Sequence, residues 1–435
     1  MSAELGSPTL VLVGWIVAGL ITLFGALSNA EVASMMADAG GEYVYFKRIY
    51  NRFFAFLFGW SCFTVIRSAA LASIAYVFAQ SFDNIFPLPQ LPEQIASIEW
   101  MGIFTPFDNF GVKALTILLI LVLTLYNVFG LKTGESLSRY VLMAVVTSML
   151  LVIILGLTNS DGGVANLSHV SVTHDPGPWW SFGFIQHFFA AMLAAFWAYE
   201  GWSSTGYLGA EIKNANRNLP LALVSGVIFI IIIYVLINFT YLFVLPVDQI
   251  IEAHESQNTI AAIAVVKSFL GSGGALFMSL LILFTTFGAT NSTVLPPPRL
   301  YYAMAKDGLF FRLASYVHPK YRTPSRALVL QAGWASLLVL SGSFDQLTDM
   351  LVFASFIFYG ATTLGVFVLR YKMPDAERPY KAWGYPIVPA IFIIFCLILI
   401  VVTFTTKPRE ALLGIGLMLT GIPFWIYWNK NKKAV

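Results

Sequence analysis

One interrupted apolar segment contains residue types and a spacing that could bind a small charged solute. The chain is apolar from Phe182 to Trp197, after which the acid Glu200 opens a stretch rich in glycine, serine and threonine that ends at Gly206. Exposed amide groups in hydrocarbon are costly, so irregular backbone inside a membrane is tolerated only where it faces protein or a water-filled cavity. The partial charges at the ends of a broken helix can hold zwitterions and ions there. A glycine kink that serves helix packing alone is the other interpretation, and the residues leave it equally open.

The elements that position this break are predicted to be membrane-spanning helices. Hydrophobic residues make up 58% of the 435 residues and charged residues 11%, and the mean hydropathy is +0.77. A spanning helix needs about 20 apolar residues. Suitable stretches occur at 8–36, 53–81, 111–129, 138–157, 181–210, 219–245, 274–305, 326–343, 347–371, 386–405 and 409–428. The sequence therefore predicts an all-α polytopic membrane protein with eleven transmembrane helices, and no connection is long enough to form a separate soluble domain.

Basic residues are distributed unequally between the two sets of connections. Most of the 25 lysine and arginine residues fall in alternate connections and in the C-terminal tail, and few fall in the opposite set. By the positive-inside rule, the crowded connections and the C-terminus are predicted to be cytoplasmic, in a plasma membrane or a bacterial inner membrane. The net charge of +3 gives no indication of a nucleic-acid partner, because the positions of basic residues carry the information in a membrane chain. The predicted partner is the lipid bilayer.

Five stretches carry a resemblance that covers nearly the whole chain in order. They are Glu31 with Ala39–Tyr43, NVFGLKTGES at 127–136, FWAYEGW with GAEIKNANRNLPLAL at 196–223, RLYYAMAKDGLF at 299–310, and LRYKMPDAERPYKAWGYP at 369–386. With these motifs the chain resembles the amino acid–polyamine–organocation superfamily of permeases, in particular the bacterial type of its L-type amino acid transporter branch. The resemblance implies an amino acid permease that covers 1–435 as a single domain.

The resemblance also implies a fold of two inverted five-helix repeats followed by two extra helices, twelve in all. Segments within 181–371 supply a complete second repeat, and 386–428 supplies the two extra helices. Segments within 1–157 supply only four helices of the first repeat, because no segment with the family's Gly-Ser-Gly interruption precedes Gly14. In the family, that first helix and the sixth hold the carboxylate and amine of the substrate. We therefore expect an incomplete or late-started chain, or a genuine eleven-helix protein without half of its pocket.

The resemblance and the break together predict a substrate site. The residues expected to contact the substrate are Trp197, Ala198, Tyr199, Glu200, Gly201, Ser203 and Ser204. The predicted function is secondary active transport, by exchange or symport, of small or neutral amino acids. Two alternatives are a non-transporting or regulatory remnant of a transporter, and a polyamine or cationic amino acid antiporter. A channel is disfavoured because the apolar segments contain few ionisable residues.

Four charged residues are predicted to serve gating or structure: Glu31, Arg67, Glu211 and Arg299. Arg67 lies in the middle of a spanning segment, where an arginine costs at least about 2.5–3.5 kcal/mol unless it finds partners. Glu200 is an ionisable residue at similar depth, so an ion pair between the two is one expectation. Contacts of Arg67 with backbone carbonyls or water are the other.

Ion coupling, metals and catalysis have weak support in the sequence. Relatives often carry a lysine in the fifth helix at the place of a sodium ion, and Val145 falls there in this chain. The hydroxyls of Thr285, Thr286, Ser292 and Thr293 could ligate a hard cation, but such hydroxyls more often satisfy backbone carbonyls. No metal site or cofactor is expected. An enzyme is disfavoured because no catalytic-triad, metal-ligand or phosphate-binding motif is found.

The positions of the cysteines indicate whether the chain could form a disulfide bond with a partner protein. Cys62 and Cys396 both lie in apolar segments and are interpreted as packing residues. Eukaryotic relatives carry a cysteine in an outer loop that bridges a glycoprotein heavy chain, and the corresponding loop here, 82–110, has none. A disulfide-linked heavy chain is therefore not expected.

Overall fold

The computed structural model describes residues 1–36, 41–100, 104–130, 134–158, 162–171, 173–174, 176–203, 212–255 and 260–431. Regular structure in these ranges is helical, apart from one isolated bridge between Trp100 and Phe104. The predicted all-α fold class is confirmed.

The α-helices follow one another along the chain with short connections. They are Ser2–Leu5 (α1), Pro8–Met35 (α2), Glu42–Ile49 (α3), Arg52–Ser61 (α4), Arg67–Asp83 (α5), Glu93–Ala96 (α6), Phe110–Val128 (α7), Gly134–Thr158 (α8), Val164–Ser168 (α9), Phe182–Ala198 (α10), Ala215–Val244 (α11), Val247–Glu255 (α12), Ala261–Val294 (α13), Pro297–Lys306 (α14), Ser325–Ser341 (α15), Phe344–Lys372 (α16), Ile387–Thr406 (α17), Pro408–Leu419 (α18) and Gly421–Asn431 (α19). A π-helix at Cys62–Ile66 joins α4 to α5, and a 3₁₀-helix at Arg312–Ser315 follows α14.

The predicted membrane segments coincide with helices of the structure. Within the described residues, nine helical stretches are long and apolar enough to cross a membrane. Two shorter apolar helices, α10 and α15, occupy the remaining predicted segments at 181–210 and 326–343. The chain is therefore a multi-pass membrane protein. The two inverted repeats and the twelfth helix remain predictions.

Local sequence explains where several helices begin. The Ser7 side chain accepts a hydrogen bond from the backbone N–H of Leu10, and Pro8 occupies the first helical position of α2. Asn51 caps α4 in the same way, through the N–H of Phe54 at 2.9 Å. These caps satisfy amide groups that have no partner within the helix.

The span formed by α4, the π-helix and α5 lies at the centre of the bundle. Of its most apolar window 83% is buried, against 11% for the span Ala261–Lys306. It packs against α7, α13, α15 and α16, and α16 in turn packs against α2, α10 and α17. The π-helix ends at Ile66, directly before Arg67. Single π-helical turns often occur at functional sites.

Two further irregularities interrupt the long helix that precedes α14. Gly271 has non-helical dihedral angles, with φ 65° and ψ −158°, so the apolar run 260–270 forms a helical piece set off by a kink. The second lies at the three prolines 296–298, because α13 ends at Val294 and α14 begins at Pro297. Three successive residues without an amide hydrogen cannot continue the helical hydrogen bonds.

Candidate functional site

The interruption predicted after Trp197, in the segment that corresponds to the sixth helix of the family, is present in the structure. Helix α10 ends at Ala198, although the apolar segment was predicted to run to residue 210. Gly201 has φ +106°, a backbone conformation that side chains with a Cβ rarely adopt. Space is not the constraint there, because nothing lies within 4 Å of a Cβ built on Gly201. Ser204 and Glu211, which the sequence analysis named, lie outside the described residues.

Arg67 and Glu200 lie together, as the ion-pair hypothesis expected. Arg67 Nη1 is 3.6 Å from Glu200 Oε1, and the side chains are only 8% and 9% exposed. Arg67 Nη2 also lies 3.5 Å from Ser203 Oγ. The long separations place the guanidinium between acceptors rather than in a tight bidentate pair.

A tyrosine that the sequence analysis missed completes the surroundings of Glu200. The Tyr359 hydroxyl on α16 lies 2.7 Å and 2.8 Å from the two carboxylate oxygens of Glu200, to which it donates. It also lies 3.4 Å from Ser203 Oγ. Tyr359 stands in the apolar run FASFIFYG, where one hydroxyl among aromatic residues gives little signal. Its donation stabilises a carboxylate at a site where an unpaired charge would be costly.

A second acid, Glu42, lies beside this group. Glu42 is the first residue of α3 and belongs to the Ala39–Tyr43 motif, but the sequence analysis gave it no role in the site. The residue is 1% exposed, and the Ser203 hydroxyl is its hydrogen-bond partner among the described residues. Arg67, Glu200 and Ser203 are its polar neighbours among those residues. Burial raises the pKa of Glu42 to about 7, although nearby Arg67 acts to lower it.

A cavity of about 470 Å³ opens beside the break. Arg67 from α5 and the residues Trp197, Ala198, Glu200 and Gly201 line it. The remaining walls are formed by Ala70, Ile74, Tyr234, Ala289, Ser292, Thr293, Pro296, Pro297 and Leu351. The volume lies within the range of about 300–1,000 Å³ typical of small-molecule sites. Apolar walls with one cationic and one anionic group would accept a small zwitterion.

The predicted site residues do not all face this cavity. Tyr199 turns toward α2, where its ring packs 5.8 Å from Trp15 and its hydroxyl donates to the Trp15 carbonyl at 3.3 Å. Trp197 lines the cavity, and its indole N–H donates to Ser73 Oγ at 3.1 Å. Ser203 lies behind Glu200 and contacts Arg67 and Tyr359. The structure thus separates residues that border the cavity from residues that support it.

The hydroxyls considered as cation ligands bond to backbone carbonyls one turn earlier. Thr285 and Thr286 both donate to the carbonyl of Ile282, at 3.1 and 2.6 Å. Ser292 donates to Gly288 and Thr293 to Ala289, at 3.0 and 2.9 Å. This geometry agrees with the backbone interpretation.

Glu31 has a structural environment remote from the cavity. Arg370 at the end of α16 binds it bidentately, with Nε–Oε1 at 2.9 Å and Nη2–Oε2 at 2.7 Å. Arg378 Nε lies 3.4 Å from Oε1, and the backbone N–H of Ala382 donates to Oε2 at 2.7 Å. The acid ties the end of α2 to the segment after α16. Arg299, the other predicted gating charge, is exposed near the start of α14.

A second polar cluster fastens α3 to the end of α14. Asp307 Oδ2 accepts hydrogen bonds from the Tyr43 hydroxyl and from Lys47 Nζ, both at 2.9 Å. Arg52 donates to the carbonyl of Asp307 at 2.9 Å. Burial and the adjacent Asp307 carboxylate raise the pKa of Tyr43. The phenol therefore remains a donor, and α3 is held with Glu42 directed into the bundle.

Comparisons with known proteins agree with a cavity that would accept a small zwitterion. The sequence model of the family described as "Amino acid permease" matches residues 1–428. The serine/threonine exchanger SteT of Bacillus subtilis (strain 168) is 28% identical over 431 residues, which cover 99% of this chain and 90% of that protein. The human b(0,+)-type amino acid transporter 1 is 27% identical, over 99% of this chain and 82% of its own length. The human cystine/glutamate transporter is 26% identical, over 98% and 80%.

These matches bear on the predicted functions. The relatives named are transporters and exchangers of amino acids rather than enzymes, and the family description is that of a permease. The predicted amino acid transport is confirmed, and neither the non-transporting remnant nor the polyamine antiporter is favoured. The family match covers nearly all of the chain, so the protein belongs to the amino acid permease family.

Proposed function

We propose that the protein carries small or neutral amino acids across the membrane, by exchange or symport, through the cavity beside the α10 break. The observation that carries this proposal is the joining of Arg67 and Glu200 at the wall of a cavity of about 470 Å³, where α10 has stopped. An amino acid that leaves water needs its hydration replaced at both charged ends.

Each end of the substrate has partners at the break. Glu200 offers a carboxylate to the ammonium group, and it stays positioned because Tyr359 holds both of its oxygens. Arg67 and backbone amides freed by the irregular turn around Gly201 offer donors to the carboxylate. The side chain of the substrate then faces Ala70, Ile74 and Leu351, which favours small or apolar groups.

A relative suggests which amino acids to test first. SteT is described as a serine/threonine exchanger, and this cavity has the hydroxyls of Ser292 and Thr293 in its wall. Both hydroxyls donate to backbone carbonyls, so their oxygens remain able to accept a hydrogen bond from a substrate hydroxyl. Serine and threonine are therefore the first candidates, with alanine and leucine as apolar comparisons.

The arrangement in the membrane follows from charge and resemblance. We assign 181–371 to the second repeat and 386–428 to the two additional helices of a single permease domain. The C-terminus is cytoplasmic in this assignment, in a plasma membrane or bacterial inner membrane, because the basic connections share its side. The loop 82–110 contains no cysteine for a disulfide-linked heavy chain, so the protein is assigned as free-standing.

Counterflow of labelled serine into proteoliposomes preloaded with unlabelled serine tests the proposal. Gly201→Val is expected to abolish counterflow, because a β-branched residue does not tolerate φ +106°. Gly226→Val is the matched control, since Gly226 lies within α11 and a built Cβ there also meets nothing within 4 Å. Parental counterflow by Gly201→Val, at equal protein in the membrane, would show that the break serves packing alone.

A further inference from the structure

The connection between α14 and α15 carries positive charge that no nearby acid in the sequence neutralises. Between Asp307 and Asp345 the chain contains no aspartate or glutamate. Residues 312–326, which we call the basic segment, contain four exposed lysine and arginine side chains: Arg312, Lys320, Arg322 and Arg326. Within the described residues, none of these four side chains forms an ion pair.

Other basic side chains next to the ends of helices do have acidic partners. Lys47 Nζ lies 2.9 Å from Asp307 Oδ2. Arg370 Nη2 lies 2.7 Å from Glu31 Oε2. The basic segment therefore differs in holding an excess of positive charge, which attracts an anionic partner from outside the chain.

Contacts within the basic segment fix the course of its backbone. The backbone N–H of His318 donates to the carbonyl of Thr323, and the N–H of Arg322 donates to the carbonyl of His318, both at 2.8 Å. Arg322 has φ +54°, a left-handed conformation that is uncommon for residues other than glycine. Arg326 Cζ lies 4.0 Å from the centroid of the Tyr316 ring, so the end of the segment is held against its beginning. A segment ordered in this way loses less entropy when it binds a ligand.

The basic segment also packs against the end of α7. The Thr323 hydroxyl donates to the Val128 carbonyl at 2.9 Å, and the Tyr321 ring lies 5.5 Å from the ring of Phe129. Tyrosines are enriched where membrane proteins meet the headgroup region. The contact places the four basic side chains at the end of two membrane-spanning helices, α7 and α15.

Two exposed stripes lead away from this contact along α7 and α15. Residues three and four apart share one face of a helix. On α15 the exposed positions that follow Arg326 have this spacing: Val329, Gly333 and Leu337. On α7 and the residue after it, the exposed apolar positions near this spacing are Leu118, Leu121, Val122, Leu125 and Phe129. Because α7 and α15 pack against each other and α5 packs against both, the two stripes face away from α5, toward lipid.

We propose that the basic segment binds the phosphate of an anionic phospholipid whose acyl chains lie along the exposed stripes of α7 and α15. Basic side chains at the membrane surface attract anionic headgroups, and a guanidinium can bind two phosphate oxygens at once. Leu313 and Val317 are exposed in the same segment and supply apolar surface beside the charges. A soluble anion would use the four charges but leave the stripes without a role. The inference concerns the lipid and is independent of which amino acid is carried.

Titration of dioctanoyl phosphatidylglycerol into the purified protein in a neutral detergent tests this site. The lipid is expected to raise the midpoint of thermal unfolding at concentrations at which dioctanoyl phosphatidylcholine has no effect. Added salt should weaken this binding, because it screens exposed charges. Arg322→Asn removes one charge and keeps the turn, since asparagine tolerates the left-handed conformation. We expect the loss of one charge to weaken binding about fivefold.

Two variants with four substitutions each separate the cluster from net charge. The first removes the charges of the basic segment: Arg312→Gln, Lys320→Gln, Arg322→Asn and Arg326→Gln. The matched control removes four exposed charges from other parts of the chain: Lys267→Gln, Lys381→Gln, Arg409→Gln and Lys430→Gln. The first variant should lose the preference for phosphatidylglycerol, and the control should bind this lipid as the parent does. The unfolding midpoint without lipid shows whether each variant folds, and the single variant decides the question if the first one does not.

Three results would overturn the lipid site. They are equal stabilisation of the parent by the two lipids, an unchanged preference when the charges of the basic segment are removed, and equal binding by the matched control and that variant. Inorganic phosphate or glycerophosphoglycerol, which lacks acyl chains, should not replace the lipid. If either stabilised the parent as much as phosphatidylglycerol does, the segment would be a site for soluble anions. None of these results bears on the proposed transport, which counterflow tests separately.

Discussion

Two buried glutamates each meet an arginine from a distant part of the chain, and their surroundings differ. Glu31 accepts two short bonds from Arg370, a third from the Ala382 amide and a contact from Arg378. Glu200 lies 3.6 Å from Arg67, and Tyr359 supplies its short bonds. The first acid is bound by several donors and does not line the cavity beside the α10 break, whereas the second lies 3.6 Å from its cation and lines that cavity.

The difference indicates two uses of buried charge. A carboxylate that accepts hydrogen bonds from several fixed donors stabilises the packing of the elements that it joins, because any movement would leave donors and acceptor unpaired. A carboxylate and a guanidinium that both line a cavity can exchange partners with a substrate that enters it. We therefore assign the Glu31 group to holding α2 against the end of α16, and the Glu200 group to binding.

Removal of Arg67 is expected to have the largest effect. Arg67→Met leaves Glu200 and Glu42 without their cation, and breaking a buried pair in this way costs about 3–5 kcal/mol. Serine counterflow should be lost and the amount of folded protein should fall. Adding Glu200→Gln should restore the folded amount but not counterflow, because the substrate then lacks both charged partners.

The control for this variant is Arg409→Met, which removes an exposed arginine 3.8 Å from Glu99. Exposed pairs contribute little to stability, so the control should retain folding and counterflow. Both quantities can be measured in parallel by fluorescence size-exclusion chromatography and counterflow. Counterflow at the parental rate by Arg67→Met would contradict the assignment of the Glu200 group to substrate binding.

Loss of the charge on Glu31 should affect stability rather than binding. Glu31→Gln weakens hydrogen bonds to charged donors, which contribute about 1.5–3 kcal/mol each. We expect a lower midpoint of thermal unfolding in detergent and an unchanged KM for serine, because Glu31 does not line the cavity. A rise in KM comparable to that of variants at the break would show that the two groups are not separate in function.

The sequence predicted those features that depend on local composition. The eleven predicted segments follow from the length of apolar stretches, and nine span-length helices and two shorter apolar helices of the described residues coincide with them. The break follows from an acid and glycines within one of these segments. The Arg67–Glu200 pair was predictable because a mid-membrane charge needs a partner and few candidates existed. Glu31 was assigned a structural or gating charge, but the arginines that hold it were not identified as its partners.

The missed residues depend on how distant elements pack. Tyr359 lies 159 positions from Glu200, and nothing in its apolar surroundings distinguishes it from a packing aromatic. Glu42 was noted only as part of the Ala39–Tyr43 motif, whereas the fold buries it in the bundle. Tyr199 was expected at the cavity, but the last turn of α10 directs it to Trp15 on α2.

The smallest expected effect separates the two groups that support Glu200. Tyr359→Phe removes a donor 2.7 Å from a carboxylate, and without it the Glu200 side chain is free to swing toward Arg67 and away from the substrate ammonium. A loss of about 1.4 kcal/mol corresponds to a roughly tenfold rise in the KM for serine. Ser203→Ala removes contacts of 3.4 and 3.5 Å, which are longer than well-formed hydrogen bonds, and a contact with Glu42, which does not line the cavity, so its KM should change less than about twofold. If Ser203→Ala raised KM more than Tyr359→Phe, the carboxylate would be held through Ser203, and the assignment of Tyr359 as its anchor would be wrong.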